Sequence, residues 1–204
     1  MYQTAAEYFT ALSERMLAMQ VTDGKRAPLT LDQGVQAAVD AIIKVGASHR
    51  KIMLVGNGGS AAIVSHVQND LCKAVGVKAL VFTEQPLLLA LANDHGYECV
   101  YERPVQLWAE AGDLMIAVSS SGNSENILRA ARASLERDCR VITMSGFGSN
   151  NALRQMGSLN FYVDSNLYGH VETAHAALLH FMTDTARAMR NSEEALSAPS
   201  QQTR

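Results

Sequence analysis

The sequence is poor in cysteine, and its few cysteines are not spaced for a structural role. Cys72, Cys99 and Cys139 lie far apart in a chain of 204 residues, and no two of them form a CxxC pair. An odd number without that spacing excludes a disulfide-stapled fold and a zinc knuckle. We therefore expect three free thiols in a protein from a reducing compartment.

The chain also lacks the patterns of a nucleic-acid-binding protein or a membrane protein. Its 17 lysines and arginines are scattered along a chain of formal net charge -3, so no basic stripe offers a nucleic-acid surface. No apolar run approaches the roughly 18 residues of a membrane span, and the N-terminal MYQTAAEYFTALSERM has no apolar block behind a basic start. These absences predict a soluble, cytoplasmic protein that binds neither nucleic acid nor membrane.

Apolar runs and helical patterns alternate along the chain, which is typical of an α/β fold. Apolar residues at helical spacing cover 4–20 and 31–45, and again 168–190, whereas 193–204 is polar and predicts a disordered tail. The runs between them are apolar throughout, as strands buried on both faces are. We predict one domain, a three-layer sandwich in which a five-stranded parallel sheet is flanked by helices and preceded by two helices. The five predicted strands are 51–55, 77–82, 113–119, 139–145 and 159–163.

The first predicted strand is followed by GNGGSA, residues 56–61, at the start of a helix. Glycines in such a turn let backbone N–H groups face outward, and a helix N-terminus is a favourable place for an anion. The pattern fits GxGxxA, so a dinucleotide site is one interpretation, although Glu84 lies a few residues beyond the expected position of a ribose-binding acid. A tight strand-to-helix turn without a ligand is another. The absence of GK[ST] excludes a P-loop.

The third predicted strand is followed by a second polar loop, SSSGNSEN, residues 119–126. The carboxyl ends of parallel strands meet at one edge of a sheet, so we expect both loops at the same edge. Hydroxyl groups clustered around a helix N-terminus bind a phosphate monoester without an arginine, although serines in turns are also ordinary capping residues. The predicted substrate contacts of the two loops are Asn57, Gly58, Ser60, Ser119, Ser121 and Ser124.

The two loops together resemble the paired motifs of SIS (sugar isomerase) domains, which bind phosphosugars. Within that family the chain is similar to the bacterial phosphoheptose isomerases, through GNGGSAAIVSHVQND, LALANDHGYE, AVSSSGNS and the histidine-bearing last helix. The resemblance implies a single SIS domain over 1–192 and a homotetramer. It also implies an isomerase that converts a ketose phosphate to an aldose phosphate in lipopolysaccharide heptose biosynthesis.

Acidic and imidazole side chains follow the first loop and recur in the last helix. His66 and Asp70 are four residues apart and so share a helix face near the phosphate loop. Glu172, His175 and His180 lie within the otherwise apolar VETAHAALLHFM. For His175 we predict a place in the core. Isomerisation through an enediol needs a base, an acid at the oxygen and a neutralised oxyanion.

The family resemblance implies roles for four of these residues. In the resembled isomerases the matching positions are histidine, glutamate, glutamine and histidine, and they form an active-site cluster that can hold zinc. By this resemblance His66, Asp70, Glu172 and His180 are the metal ligands, with Asp70 also the base and His180 also the acid. Glu172 is in addition a substrate contact. Three positions depart from the family pattern: Asp70 replaces a glutamate, Glu172 replaces a glutamine, and His170 replaces an arginine.

One further substrate contact is implied in LALANDHGYE. Asp94 matches a family position near the sugar, where a carboxylate can order hydroxyl groups. The Asn93-Asp94 pair is equally typical of a turn or a helix end, so both interpretations stay open at this point.

Three other functions remain open beside this isomerase. A non-catalytic family member that binds a partner protein and regulates replication initiation is the first, although such members lack the final histidine that His180 supplies. An isomerase or sensor of another phosphosugar is the second. A nicotinamide-dependent oxidoreductase is the third, and it rests on GxGxxA alone.

Overall fold

One sheet of seven strands organises the chain. The computed structural model describes residues 2–197. Its strands are β1 (Gln20–Asp23), β2 (Pro28–Leu29), β3 (Lys51–Gly56), β4 (Lys78–Val81), β5 (Leu114–Ser119), β6 (Arg140–Ser145) and β7 (Leu159–Tyr162). Across the sheet they follow the order β2-β1-β7-β6-β5-β3-β4.

Five of these strands form the parallel sheet that the apolar runs predict. β3 pairs with β4 and β5, β5 pairs with β6, and β6 pairs with β7, all in parallel. The predicted total of five strands is wrong, because β1 adds antiparallel to β7 and β2 adds antiparallel to β1. This hairpin carries no apolar run. Only Val21 is buried among the four residues of β1, so periodicity does not reveal the strand.

The predicted helices flank the sheet, and two of them precede the parallel strands as expected. They are α1 (Ala5–Leu17), α2 (Leu31–Ala47), α3 (Gly59–Asp70), α4 (Gln85–His95), α5 (Glu102–Trp108), α6 (Glu125–Leu135) and α7 (Tyr168–Ser197). Threonine side chains cap the first two, since Thr4 accepts from the Glu7 N–H and Thr30 forms a capping box with Gln33. Within residues 2–197, no helix is both long enough and apolar enough to cross a membrane.

The last helix is longer than its apolar pattern predicts. α7 continues to Ser197, so residues 193–197 of the predicted tail are helical, and the rest of that tail lies outside the described residues.

Each central strand contributes alternate residues to two hydrophobic clusters. In β3, Ile52 and Leu54 belong to a cluster shared with α2, α3 and α7, whereas Met53 and Val55 belong to one shared with α5 and α6. All four side chains are at most 1% exposed. Because both faces of the strand are covered, residues 52–55 are all apolar, and the polar residues that follow the strand are confined to the sheet edge.

His175 lies in this core, as its apolar surroundings predict. The side chain is fully buried, and its Nε2 lies 3.2 Å from the carbonyl oxygen of Ser145. Its Nδ1 has no hydrogen-bond partner within residues 2–197. Burial lowers the pKa of His175 to about 4 and outweighs the hydrogen bond to Ser145, which favours the charged form. The neutral ring therefore donates from Nε2.

Acidification is expected to weaken the fold through His175. Between the ordinary pKa of 6.5 and about 4, the unfolded chain carries a proton on this ring that the folded chain does not carry. The free energy of unfolding therefore falls as the pH falls through this window, by about 3 kcal/mol from this group. Urea titrations of the wild type and of His175→Gln at several pH values in the window measure the difference.

A direct check is the proton NMR signal of the His175 ring in the folded wild type. This measurement does not require the variant to fold. A titration midpoint near the ordinary histidine value of about 6.5 would contradict the expected loss of stability.

Candidate active site

The first loop turns the chain from β3 into α3 within three residues. At Gly56 a Cβ would lie 2.7 Å from the carbonyl carbon of Ser60, so only glycine permits this close approach. Gly58 has a φ of 53°, precedes α3 as its cap residue and has no side chain that could bond to the first N–H groups. The N-terminus of α3 therefore keeps its backbone donors available for a ligand.

The second loop starts α6 in the same way. Ser124 is the N-cap residue, as its position predicts, but its side chain makes no capping hydrogen bond. Its Oγ instead accepts from the Oγ of Ser119 at 3.4 Å, and Ser119 Oγ accepts from the N–H of Gly122 at 3.2 Å. α6 thus also begins without a hydrogen bond from its N-cap side chain, in contrast to α1 and α2.

The two loops face one cleft of about 220 Å³, which the first turn of α7 closes on a third side. Among the described residues that line it there is no lysine or arginine, so its donors are hydroxyls, an amide and backbone N–H groups. Two helix N-termini with clustered hydroxyls are chemically suited to bind a phosphate group, and we call this cavity the phosphate cleft. The lining residues, which include all six predicted loop contacts, are Asn57, Gly58, Gly59, Ser60, Ser119, Ser120, Ser121, Ser124, Tyr168 and Glu172.

Three lining residues are absent from the sequence prediction. Gly59 and Ser120 lie within the two loops, so the loop motifs would have been enough to identify them. Tyr168 is the first residue of α7, and no sequence pattern marks it. Its ring is 62% exposed and packs edge-on against Phe147, with 4.8 Å between the centroids. An exposed aromatic face beside the phosphate loops can pack against the carbon chain of a sugar.

His66, Asp70 and His180 come together on the facing sides of α3 and α7. Asp70 Oδ2 lies 3.4 Å from His66 Nε2 and 3.5 Å from His180 Nδ1. The two imidazole rings cross at 60° with their centroids 4.9 Å apart. One ligand atom from each of the three residues fits within 4.8 Å. Two imidazoles and a carboxylate at this spacing can hold a metal ion or exchange protons with a ligand.

Glu172 lies outside this group of three, although the family resemblance implies that it is a metal ligand. Its carboxyl group packs against the first turn of α3, where a Cβ on Gly59 would lie 2.6 Å from the carboxyl carbon. Along α7 it is eight residues, or about 12 Å of helix rise, from His180. The structure therefore places Glu172 in the phosphate cleft.

Asp94 is not brought to the cleft in the single chain. It is exposed in the last turn of α4, where one of its oxygens accepts from the side chain of Asn93 at 2.9 Å. The described residues that line the phosphate cleft do not include it. Its position agrees with the helix-end interpretation of the Asn93-Asp94 pair.

The packed pair α3 and α7 runs from the phosphate cleft to the histidine cluster. A second cavity of about 250 Å³ lies between the two helices beside His66 and His180. Because His66 follows Gly59 by seven residues, about 10 Å of helix rise separates the N-terminus of α3 from the cluster. The cavity is lined by Ala62, Ile63, His66, Val67, Ala176 and His180.

Known proteins have sequences similar to that of this chain. The family model of the SIS domain matches residues 20–146. The phosphoheptose isomerase of Helicobacter hepaticus is 32% identical over 161 residues, which span 76% of this chain and 82% of that relative. The phosphoheptose isomerase of Citrifermentans bemidjiense is 29% identical over 161 residues, which span 76% of this chain and 83% of the relative.

Solved structures give the same result. Phosphoheptose isomerase GmhA from Neisseria gonorrhoeae matches with a TM-score of 0.76 at 25% identity, over 90% of this chain and 96% of that one. A phosphoheptose isomerase from Francisella tularensis shares the fold with a TM-score of 0.77 at 22% identity, over 90% and 98% of the two chains. The chain therefore belongs to the SIS domain family and, within it, is similar to phosphoheptose isomerases.

Proposed function

We propose that this protein is a phosphosugar isomerase that interconverts sedoheptulose 7-phosphate and the corresponding aldose phosphate through an enediol. One arrangement carries this proposal. A cleft between two helix N-termini lies at one end of α3, and His66, Asp70 and His180 lie toward its other end. The similarity to proteins named phosphoheptose isomerase supports the same activity.

The separation of the two ends favours a long sugar. About 10 Å of helix rise lies between the start of α3 and His66. In a ketoheptose 7-phosphate the reacting carbons, C1 and C2, are at the opposite end of the chain from the phosphate, roughly 10 Å away when the chain is extended. A triose or tetrose phosphate bound in the same cleft would not reach the histidines. Chain length thus favours a heptose substrate.

Asp70 and His180 carry the proton transfers in this proposal. Asp70 removes a proton from C1 of the ketose while His180 donates a proton to the oxygen on C2, which gives the enediol. The proton on Asp70 is then returned to C2 while His180 takes the proton of the oxygen on C1, which gives the aldose. Both residues end in their starting protonation states, so the reaction is balanced without a co-substrate.

We further propose that His66, Asp70 and His180 hold zinc. Two imidazole nitrogens and one carboxylate oxygen within 4.8 Å fit the ligand preference of this ion, and three protein ligands are typical of a catalytic site with an open position. A bound zinc ion would polarise the substrate carbonyl and stabilise negative charge on its oxygen. Asp70 has a second oxygen and His180 a second nitrogen, so each residue can bind with one atom and exchange a proton with the other.

Uncovered apolar surface supports the homotetramer that the family resemblance implies. A groove of about 260 Å³ between α1, α2 and α7 is lined mainly by apolar side chains, and Leu17 and Phe181 on its rim are 77% and 58% exposed. α4 is rich in leucine, yet none of its residues is buried in the single chain. Helices that are apolar on most sides are usually covered, here by further copies of the chain.

Phosphorylated sugars do not cross membranes freely, which supports a cytoplasmic role in heptose supply for lipopolysaccharide.

The activity is tested by NMR on the full chain with sedoheptulose 7-phosphate in deuterated water, with added zinc and again with a chelator. We expect the aldose phosphate to form with deuterium at C2, because the proton on the base exchanges with solvent. Loss of product with the chelator would support the metal. Binding of the sugar phosphate without product or exchange would overturn the proposal in favour of a non-catalytic phosphosugar-binding protein.

A further inference from the structure

We propose that Asn126 is a positioning residue that, paired with Asn57, holds the two phosphate loops in the register needed to bind one phosphate group. The sequence of the two loops does not reveal this pairing, because the two residues are 69 positions apart. The inference rests on the proposed phosphosugar binding. It adds a residue that acts on the substrate only through the loops.

The two side chains form a closed pair of hydrogen bonds. Asn57 Nδ2 donates to Asn126 Oδ1 at 2.9 Å, and Asn126 Nδ2 donates to Asn57 Oδ1 at 2.9 Å. Asn57 lies in the loop before α3, and Asn126 lies in the first turn of α6. Asn126 is only 3% exposed, so water does not compete for these bonds. The pair joins the two helix N-termini directly.

Other contacts fix which way both amides point. The backbone N–H of Ile127 donates to Asn126 Oδ1 at 3.0 Å, so this atom must be the oxygen. It follows that Asn57 presents its nitrogen to it. Asn57 Oδ1 then accepts from both Asn126 and the hydroxyl of Tyr97, the latter at 3.2 Å. Both acceptor positions of Asn57 are used, and one of its two amide hydrogens remains for a ligand.

A second contact supports the first loop at Gly56, where β3 ends. The hydroxyl of Tyr101 donates to the carbonyl oxygen of Gly56 at 2.7 Å, and its side chain is 2% exposed. Burial raises the pKa of Tyr101 to about 12, so the hydroxyl remains a donor at physiological pH. With the strand end held by Tyr101 and the turn held by Asn126, the loop has few alternative conformations.

The phosphate cleft depends on this support because the described residues that line it include no charged donor. Neutral N–H and hydroxyl groups bind an anion well only when they already point at one place, since reorganising them on binding reduces affinity. Both loops are rich in glycine and serine, which allow many backbone conformations. We therefore expect loss of the Asn pair to separate the two sets of donors and to weaken phosphate binding.

The test compares Asn126→Ala, Asn57→Ala and the double variant with Asn160→Ala. Asn160 is a matched control, because its amide is 2% exposed and fully hydrogen-bonded but lies far from the cleft on β7. Calorimetry measures the Kd of sedoheptulose 7-phosphate and of inorganic phosphate, and thermal unfolding measures stability. Asn126→Ala is expected to raise both Kd values about tenfold and Asn57→Ala at least as much, because Asn57 also offers an amide hydrogen to the ligand. The double variant is expected to add little to Asn57→Ala, because the pair is already broken in it. The kcat of Asn126→Ala should change less than about twofold, so its effect appears in KM.

Three results would overturn the inference. One is Asn126→Ala losing stability as Asn160→Ala does while both Kd values stay unchanged, since the pair would then be purely structural. Another is a double variant that binds about tenfold more weakly than Asn57→Ala, since the two residues would then act independently. The third is a wild type that binds neither ligand.

A wild type that binds sugar phosphate without isomerising it would overturn the proposed function alone, because the Kd values still test the pair. If Asn126→Ala does not fold, the small polar replacement Asn126→Ser, which also cannot reach Asn57, is judged on the same Kd change.

Discussion

Replacing His180 with alanine is expected to lower kcat about a thousandfold while the Kd of sedoheptulose 7-phosphate changes less than about threefold. General acid catalysis typically contributes a factor of about 10² to 10⁴, and His180 also holds one side of Asp70 through a 3.5 Å contact. The His180 ring lines the second cavity beside His66, and it is not among the described residues that line the phosphate cleft. The chemistry should therefore be lost while phosphate binding remains. Steady-state kinetics and calorimetry separate the two.

The matched control for this variant is His49→Asn. His49 is exposed, precedes β3 at the opposite edge of the sheet, and has a φ of 56°, which asparagine tolerates better than alanine. Its activity should equal that of the wild type. A His180→Ala enzyme that keeps a tenth or more of the wild-type kcat would show that another group protonates the oxygen.

The sequence predicts the parallel part of the fold because both faces of those strands are buried. Strands β3 and β5 carry uninterrupted apolar runs, residues 52–55 and 114–118, and this pattern identifies them without any tertiary information. The β1–β2 hairpin has no such pattern. The second strand of this hairpin has only two residues, Pro28 and Leu29. In the first strand, Val21 packs so closely against α2 that a Cβ on Gly34 would lie 2.5 Å from the Val21 Cγ1. Pairing with β7, rather than local periodicity, decides that it is a strand.

The site follows a similar division between local and long-range information. Both loops are contiguous in the sequence, so their serines and glycines are recognised from their spacing. The Asn57–Asn126 pair and the contact of Glu172 with Gly59 join residues that are far apart in the chain. His66 and Asp70 share a helix face, which the four-residue spacing shows, but only the packing of α3 against α7 brings His180 to them. Tyr168 enters the cleft because α7 begins there.

Replacing His66 with alanine is expected to weaken zinc binding at least about a hundredfold, whereas Glu172→Gln should change it less than about threefold. Residues that merely orient a ligand already affect metal affinity about 10- to 100-fold, so loss of a direct ligand should cost at least as much. His66 is one of three side chains whose ligand atoms lie within 4.8 Å, and Glu172 packs against Gly59 instead. Competition with a coloured chelator measures both zinc affinities.

Glu172→Gln has a second expected effect that the His66 variant does not share. The carboxylate of Glu172 lines a cleft that has no lysine or arginine among its described residues, so it repels a bound phosphate. A neutral amide of the same shape should therefore bind sedoheptulose 7-phosphate several-fold more tightly in metal-free protein, and calorimetry with a chelator present measures this. If Glu172→Gln instead loses zinc as strongly as His66→Ala, Glu172 is a fourth ligand that reaches the cluster when the metal binds. The pair of variants thus decides whether the glutamate that replaces the family glutamine acts on the phosphate or on the metal.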